Sequence, residues 1–283
     1  MLDELYHSIS PDIFTLGPFT VRWYGLGYSL GFLLAMILIS RICKRWKVDF
    51  SFENLLTMII ICMICVMLGA RLGFVLFYGN GYYLEHPGEI LAFSQGGMSF
   101  HGGLIGFIIG AIITARVTHI SLPTLFDLSA ICAPIGIMLV RFANFINGEL
   151  WGSVTDLSWG VVFDGAGPLP RHPSQLYEAF LEGLVLLVVL YILSRRKPPL
   201  PQGSYAGIFL IGYGVFRFAI EFIRQPDAQI GYLFQTEWVT MGMVLTLPMI
   251  LASAGFFAYA LRLKRPQAGK KPALEAEAVE DKK

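Results

Sequence analysis

The sequence predicts an all-α, polytopic integral membrane protein with seven transmembrane helices, its N-terminus outside and its C-terminus cytoplasmic. Composition is the first reason. Of 283 residues, 55% are hydrophobic and 14% charged, with a mean hydropathy of +0.62, whereas soluble domains carry about a quarter charged residues. Recurring apolar stretches are the second reason, since a hydrocarbon core of about 30 Å takes roughly 20 helical residues to cross. Such stretches run near 21–40, 54–77, 99–116, 125–146, 177–194, 204–223 and 238–261. All are read as helices, because lipid offers no partner to an unpaired backbone group and the alternation of a membrane barrel is absent.

The third reason is the placement of cations. Of 21 Lys and Arg, fifteen fall at Arg41, Lys44, Arg45 and Lys47, at Arg116, at Arg195, Arg196 and Lys197, and from Arg262 to the end. Those segments alternate along the chain, and the positive-inside rule puts them in the cytoplasm. The connections 78–98, 147–176 and 224–237 then face outward. Residues 1–263 read as one transmembrane domain carrying these loops, and 264–283 as a polar cytoplasmic tail. The first span follows an acidic leader with Asp3, Glu4, Pro11 and Asp12. It lacks a basic n-region and reads as a retained anchor rather than a cleaved signal. A net charge of +1 gives no reason to expect nucleic acid. Cys43, Cys62, Cys65 and Cys132 lie in or beside spans and suggest no disulfide framework; Cys62 and Cys65 read as helix packing.

The six remaining arginines, Arg22, Arg71, Arg141, Arg171, Arg217 and Arg224, all map to the outer half of a span or to an outer loop. An Arg inside a span costs about 2.5–3.5 kcal/mol on insertion scales, so such residues face protein, water or an anion. Snorkelling to headgroups is sufficient for Arg22 and serves for Arg71, and is a weaker account of Arg141 and Arg217. In the sixth span Tyr213, Arg217, Glu221 and Arg224 are spaced four, four and three apart and form one stripe. Glu221 can hold either arginine and leave the other for an anion, or the group is a structural ion pair. The fourth span ends Arg141-Phe142-Ala143-Asn144 and runs into Asn147-Gly148-Glu149-Leu150-Trp151-Gly152, a helix stop meeting irregular backbone at membrane depth. His101 opens the third span among Gly97, Gly102, Gly103 and Gly106, where another backbone or a lipid can approach. With no neighbouring His or Cys set, no metal is expected there. Arg171-His172-Pro173 opens the fifth span, and Glu178 and Glu182 share one face, where favourable charge near a helix N-terminus is at least as good an account as function.

At these positions the chain resembles the prolipoprotein diacylglyceryl transferase family. The matching elements are Arg22-Trp23-Tyr24-Gly25, Gly97 to Gly106 around His101, Arg141 to Gly152, His172 to Glu178, and Tyr213 to Arg224, in the family's order. The resemblance implies a catalytic membrane domain in a bacterial inner membrane, with its active site toward the outer leaflet. It implies transfer of diacylglyceryl from phosphatidylglycerol to the lipobox cysteine of a preprolipoprotein signal peptide, forming a thioether and releasing glycerol phosphate without a cofactor. It further implies catalytic roles for His101, Arg141 and Arg217, supported by Tyr24, Asn144, Glu149, Gly152, Tyr213, Glu221 and Arg224.

The residue chemistry fits such a reaction. Only the thiolate is a good nucleophile, and removing the proton of a thiol of pKa about 8.5 near pH 7 costs roughly 2 kcal/mol. A base such as His101 can offset that, while paired guanidiniums suit a departing phosphate better than an ammonium does. A lipid or anion transporter with an outward-facing polar site is the alternative, although the unusual charges collect on one side instead of continuing across.

Overall fold

The structure is a computed structural model that describes residues 1–17, 19–79, 81–93, 96–225, 231–236 and 238–267. Of the expected polar tail 264–283, residues 268–283 lie outside the described residues, as does 226–230 in the connection 224–237. The chain is mostly helical, and six helices are long and apolar enough to cross a membrane. They are α2 (Trp23–Trp46), α3 (Phe52–Tyr78), α5 (Phe100–Thr118), α6 (Leu122–Ile146), α7 (Ser174–Ser194) and α9 (Met241–Leu263). The sixth expected span is also a helix, α8 (Ser204–Glu221), but is not among the six. The charges of Arg217 and Glu221, with its tyrosines and glycines, hold down its hydropathy. Short helices α1 (Leu2–Ser8) and α4 (Tyr82–Glu85) precede α2 and follow α3.

The all-α expectation is corrected in one place. Strands β1 (Asp12–Leu16) and β2 (Phe19–Arg22) form an antiparallel hairpin in the leader, with Leu16 opposite Phe19 and Asp12 opposite Arg22. Five and four residues with no regular alternation do not stand out beside a 24-residue apolar helix. Arg22 thus ends a strand, and its Nε lies 3.1 Å from Asp12 Oδ1 in an exposed ion pair.

By internal contacts the chain divides into two compact units, Met1–Ile42 with Asp127–Pro266, and Cys43–Phe126 with Gln267–Lys283. In the second, α3 and α5 pack backbone to backbone. A Cβ on Gly69 or Gly102 would run into the other's helix, and one on Gly106 would strike the Cys65 carbonyl. Gly102, Gly106 and Gly110 stand four apart, so the first three turns of α5 present no side chain to α3 along this stripe, the small-residue interface that lets membrane helices approach. Of the two approaches open to the His101 glycines, another backbone is the one realised. Cys62 and Cys65 lie in this contact as free thiols.

In the first unit α7 changes pitch. Ser174–Glu178 is α-helical, Ala179–Val185 is a π-helical turn, and Leu186–Ser194 returns to α. Such turns insert a residue, shift the faces that follow, and recur at functional sites. Gly183 in this turn faces Met138 of α6 so closely that a Cβ would lie 2.6 Å from the Met138 Cβ. Asp127 of α6 receives the Gly203 and Ala206 amides at 2.8 and 2.9 Å, satisfying orphan donors at the start of α8. The leader packs here too: Tyr6 of α1 joins Phe145, Val161 and Phe163 in a buried cluster, and Asp3 Oδ1 accepts the Val162 amide at 2.8 Å.

Candidate active site

The site lies in the first unit and is built outward from Glu178, which is fully buried on α7. Arg217 of α8 donates from Nη1 to Glu178 Oε1 at 2.7 Å. Arg141 of α6 brings Nε to 2.8 Å from Glu178 Oε2, an ion pair whose N–H is directed off that oxygen, so attraction there is Coulombic rather than a formed hydrogen bond. Arg224, three residues beyond the end of α8, has Nη1 at 3.6 Å from Glu178 Oε1. Arg217 also pairs with Glu221 one turn along α8, and Glu221 Oε2 accepts from Thr240 Oγ1 at 2.5 Å. The sequence spacing is realised: Tyr213, Arg217 and Glu221 do share a face, and Arg224 continues it off the helix. The reading that Glu221 holds one arginine and frees the other is refined, because Glu178 engages both.

A second arm leaves from Arg141. Its Nη1 donates to Asn144 Oδ1 at 3.4 Å. The Asn144 amide donates to the Tyr24 hydroxyl in a short contact, and the Tyr24 hydroxyl donates to Glu149 Oε2 at 2.7 Å. Tyr24 opens α2, Asn144 lies in the last turn of α6, and Glu149 follows the helix stop at Gly148, whose φ of +66° suits glycine. The stop is further pinned from α7, where Gln175 Nε2 donates to the Glu149 carbonyl at 2.5 Å and Ser174 Oγ to the Leu150 carbonyl at 2.9 Å.

Gly152 bridges antiparallel to Arg224. A Cβ there would lie 2.5 Å from the Ile223 carbonyl oxygen and 2.7 Å from the His172 Cβ. The absence of a side chain is what allows the 147–176 loop to lie against the segment that carries Arg224. Tyr213 stacks on Phe209 at 5.9 Å and is within electrostatic reach of Glu182, Arg217, Arg141 and Glu178. Three guanidiniums therefore face two paired carboxylates, Glu178 and Glu221. Glu182, fully buried in the π turn, is in electrostatic range of all three arginines, yet neither of its oxygens has a hydrogen-bond partner among the described residues. Arg141, Arg217 and Arg224 remain partly accessible, so N–H groups not committed to carboxylates can meet an anion.

A family model of prolipoprotein diacylglyceryl transferase matches residues 11–259. The chain belongs to the prolipoprotein diacylglyceryl transferase family. It is 50% identical over 253 residues to the phosphatidylglycerol–prolipoprotein diacylglyceryl transferases of Brucella canis, Brucella ovis and Brucella suis biovar 1. Each match covers 87% of this chain and 90% of the relative.

Of the residues this membership brings into question, Tyr24, Asn144, Glu149, Arg141, Arg217, Glu221 and Arg224 are joined by contacts, with Gly152 packed beside Arg224 and Tyr213 alongside. His101 stands at the start of α5 in the other unit, exposed, with its ring edge-on to Phe100 at 5.7 Å. Sequence reasoning holds a helix-dipole role for Glu178 and Glu182 to be at least as good an account as function, and the structure makes Glu178 the hub. The available signal is their four-residue spacing inside an otherwise apolar span. Arg71 is a correction of the opposite kind. It is 1% exposed and bound to four backbone carbonyls, so it does not snorkel.

Proposed function

We propose that this transferase moves the diacylglyceryl group of phosphatidylglycerol onto the lipobox cysteine thiol of a preprolipoprotein, at the outer leaflet of a bacterial inner membrane, within a seven-span domain covering residues 1–263. The observation that carries the reading is the convergence of Arg141, Arg217 and Arg224 on one buried carboxylate, Glu178, with the Asn144–Tyr24–Glu149 relay attached. Fixed guanidiniums in a site of low dielectric stabilise charge as it develops on a leaving phosphate and need no reorganisation at the moment of reaction.

In the reaction the thiol proton passes to His101, and the sulfur attacks the glycerol carbon that bears the phosphate. The carbon–oxygen bond breaks as the carbon–sulfur bond forms, and glycerol phosphate leaves with the electron pair. Arg141 and Arg217 grip the phosphate through N–H groups not given to Glu178 and Glu221. Glu178 keeps three like charges together, which would otherwise repel. Asn144, Tyr24 and Glu149 orient Arg141, Gly152 admits the loop, and Glu221 with Thr240 steadies Arg217. Tyr213 lines the stripe, and Arg224 adds field. An outer-leaflet site fits six arginines that oppose the bias of the other fifteen cations.

Purified protein in phosphatidylglycerol vesicles with a lipobox peptide tests the reading. Thioether-linked diacylglyceryl peptide and free glycerol phosphate are expected in equal amounts. Lipid movement between leaflets without product would replace the transferase with a transporter.

A further inference from the structure

Arg71 is 1% exposed, and its surroundings within its own unit show how that buried charge is used. From α3 its Nε donates to the Ile90 carbonyl at 2.8 Å, Nη2 to the Glu89 carbonyl at 2.7 Å, and Nη1 to the Gly96 and Gly97 carbonyls at 2.6 and 3.3 Å. The guanidinium lies 5.3 Å from the ring centre of Tyr83 and 6.0 Å from that of Phe74. Its partners are carbonyl dipoles and aromatic faces, so a buried charge is being used to hold backbone. Buried backbone carbonyls need a hydrogen-bond partner, and here one side chain serves four of them, at Glu89, Ile90, Gly96 and Gly97 in the connection to α5.

That loop leads straight into α5. Gly96 and Gly97 take φ of +76° and +75°, and a Cβ on Gly97 would lie 2.6 Å from Phe74 Cε1 and 2.9 Å from Arg71 Nη1. Next to Arg71, the Ala70 carbonyl accepts the Ser99 amide at 2.9 Å. Ser99 Oγ in turn accepts the Gly102 amide at 3.3 Å and caps α5. His101 is the second residue of that helix. Two consecutive residues of α3 therefore determine where α5 begins, and the glycine contact between the helices leaves no slack to absorb an error.

We infer that Arg71 is a positioning residue of the transferase: its guanidinium fastens residues 89–90 and 96–97 to α3 and so fixes the entry of α5 and the placement of His101. The inference rests on the role given to His101 under the proposed function. A guanidinium is required because its donors fan out in a rigid plane to carbonyls on two sides; an ammonium is a point charge with three rotatable donors.

The test compares wild type, Arg71→Lys and His101→Gln as full chains in phosphatidylglycerol vesicles, with turnover expressed per folded molecule. Arg71→Lys is expected to insert, to keep KM for phosphatidylglycerol within about twofold, and to lose about tenfold or more in kcat, as misplaced reacting groups do. Amide exchange over 96–99 should quicken while that of α9 does not. Faster exchange with unchanged kcat per folded molecule would make Arg71 a purely structural residue and overturn the inference. So would unchanged exchange. Normal turnover by His101→Gln would instead remove the base assignment on which the inference rests, and the exchange data keep that failure distinct from a failure of the clamp.

Discussion

At Glu178 a single buried carboxylate answers to arginines from α6, from α8 and from the segment after α8, and each neighbouring residue takes its meaning from that. Removing it leaves three cations without their shared partner, and breaking a buried pair from one side costs about 3–5 kcal/mol. Glu178→Ala should therefore lower the thermal midpoint in detergent steeply as well as abolish turnover. Glu182→Gln, one turn on, deletes a carboxylate that accepts no hydrogen bond in the described structure, and turnover should change only a few-fold; a loss matching that of Glu178→Ala would show that Glu182 is a working part of the cluster. Arg141→Lys keeps the charge and loses the planar fork, so product formation should fall roughly a hundredfold while insertion is normal. His172, just ahead of α7, gives a pH signature. Burial lowers its pKa from the usual 6.5, so the folded protein binds its proton less readily than the unfolded chain does. Its contribution to stability is complete above that value and is lost as the pH falls through the lowered one. His172→Gln should flatten the acid side of a plot of thermal midpoint against pH. Arg141, Arg217 and Asn144 were legible as candidates because a charge or an amide in an apolar span is costly unless it is paired or put to use. Glu178 was not, since a carboxylate in the first turn of a helix has an ordinary electrostatic reason to be there.

The elements divide in the same way. Long apolar helices announce themselves, and each expected span overlaps an observed helix, with ends shifted by a few residues in keeping with frayed termini. The leader gave no such signal. Tyr6 is buried by Phe145 of α6 and by the returning 147–176 loop, and β1 and β2 are held by pairing with each other, so neither has a periodicity of its own to read. The π turn at Ala179–Val185 was equally hidden, since apolar residues suit either pitch. Close approach at glycine gives the sharpest element-level expectation. Gly152→Ala places a methyl against the Ile223 carbonyl and His172. Overpacking of this kind costs about 1–3 kcal/mol, and separating the loop from Arg224 should depress turnover further than the loss of folded protein explains. Turnover that tracks the folded fraction would limit Gly152 to packing.

For the molecule as a whole, membership of the transferase family agrees with the resemblance carried by the sequence motifs, and a mostly helical chain with six helices long and apolar enough to cross a membrane agrees with its composition. The helix that carries Arg217 and Glu221 falls short of the hydropathy of those six. The charges that join it to the arginine cluster are what lower it. The orientation proposed from the cation bias predicts that cysteines placed at 85 and 197 are labelled by an impermeant reagent from the outside and only after permeabilisation, respectively. The arginines assembled around Glu178 are proposed to hold a lipid phosphate. A structure of the protein with phosphatidylglycerol bound tests it most directly. The phosphate should lie within hydrogen-bonding distance of both Arg141 and Arg217, with its diacylglyceryl carbon open to an incoming thiol; a phosphate seated away from both arginines, with the Glu178 cluster unchanged, would contradict the account.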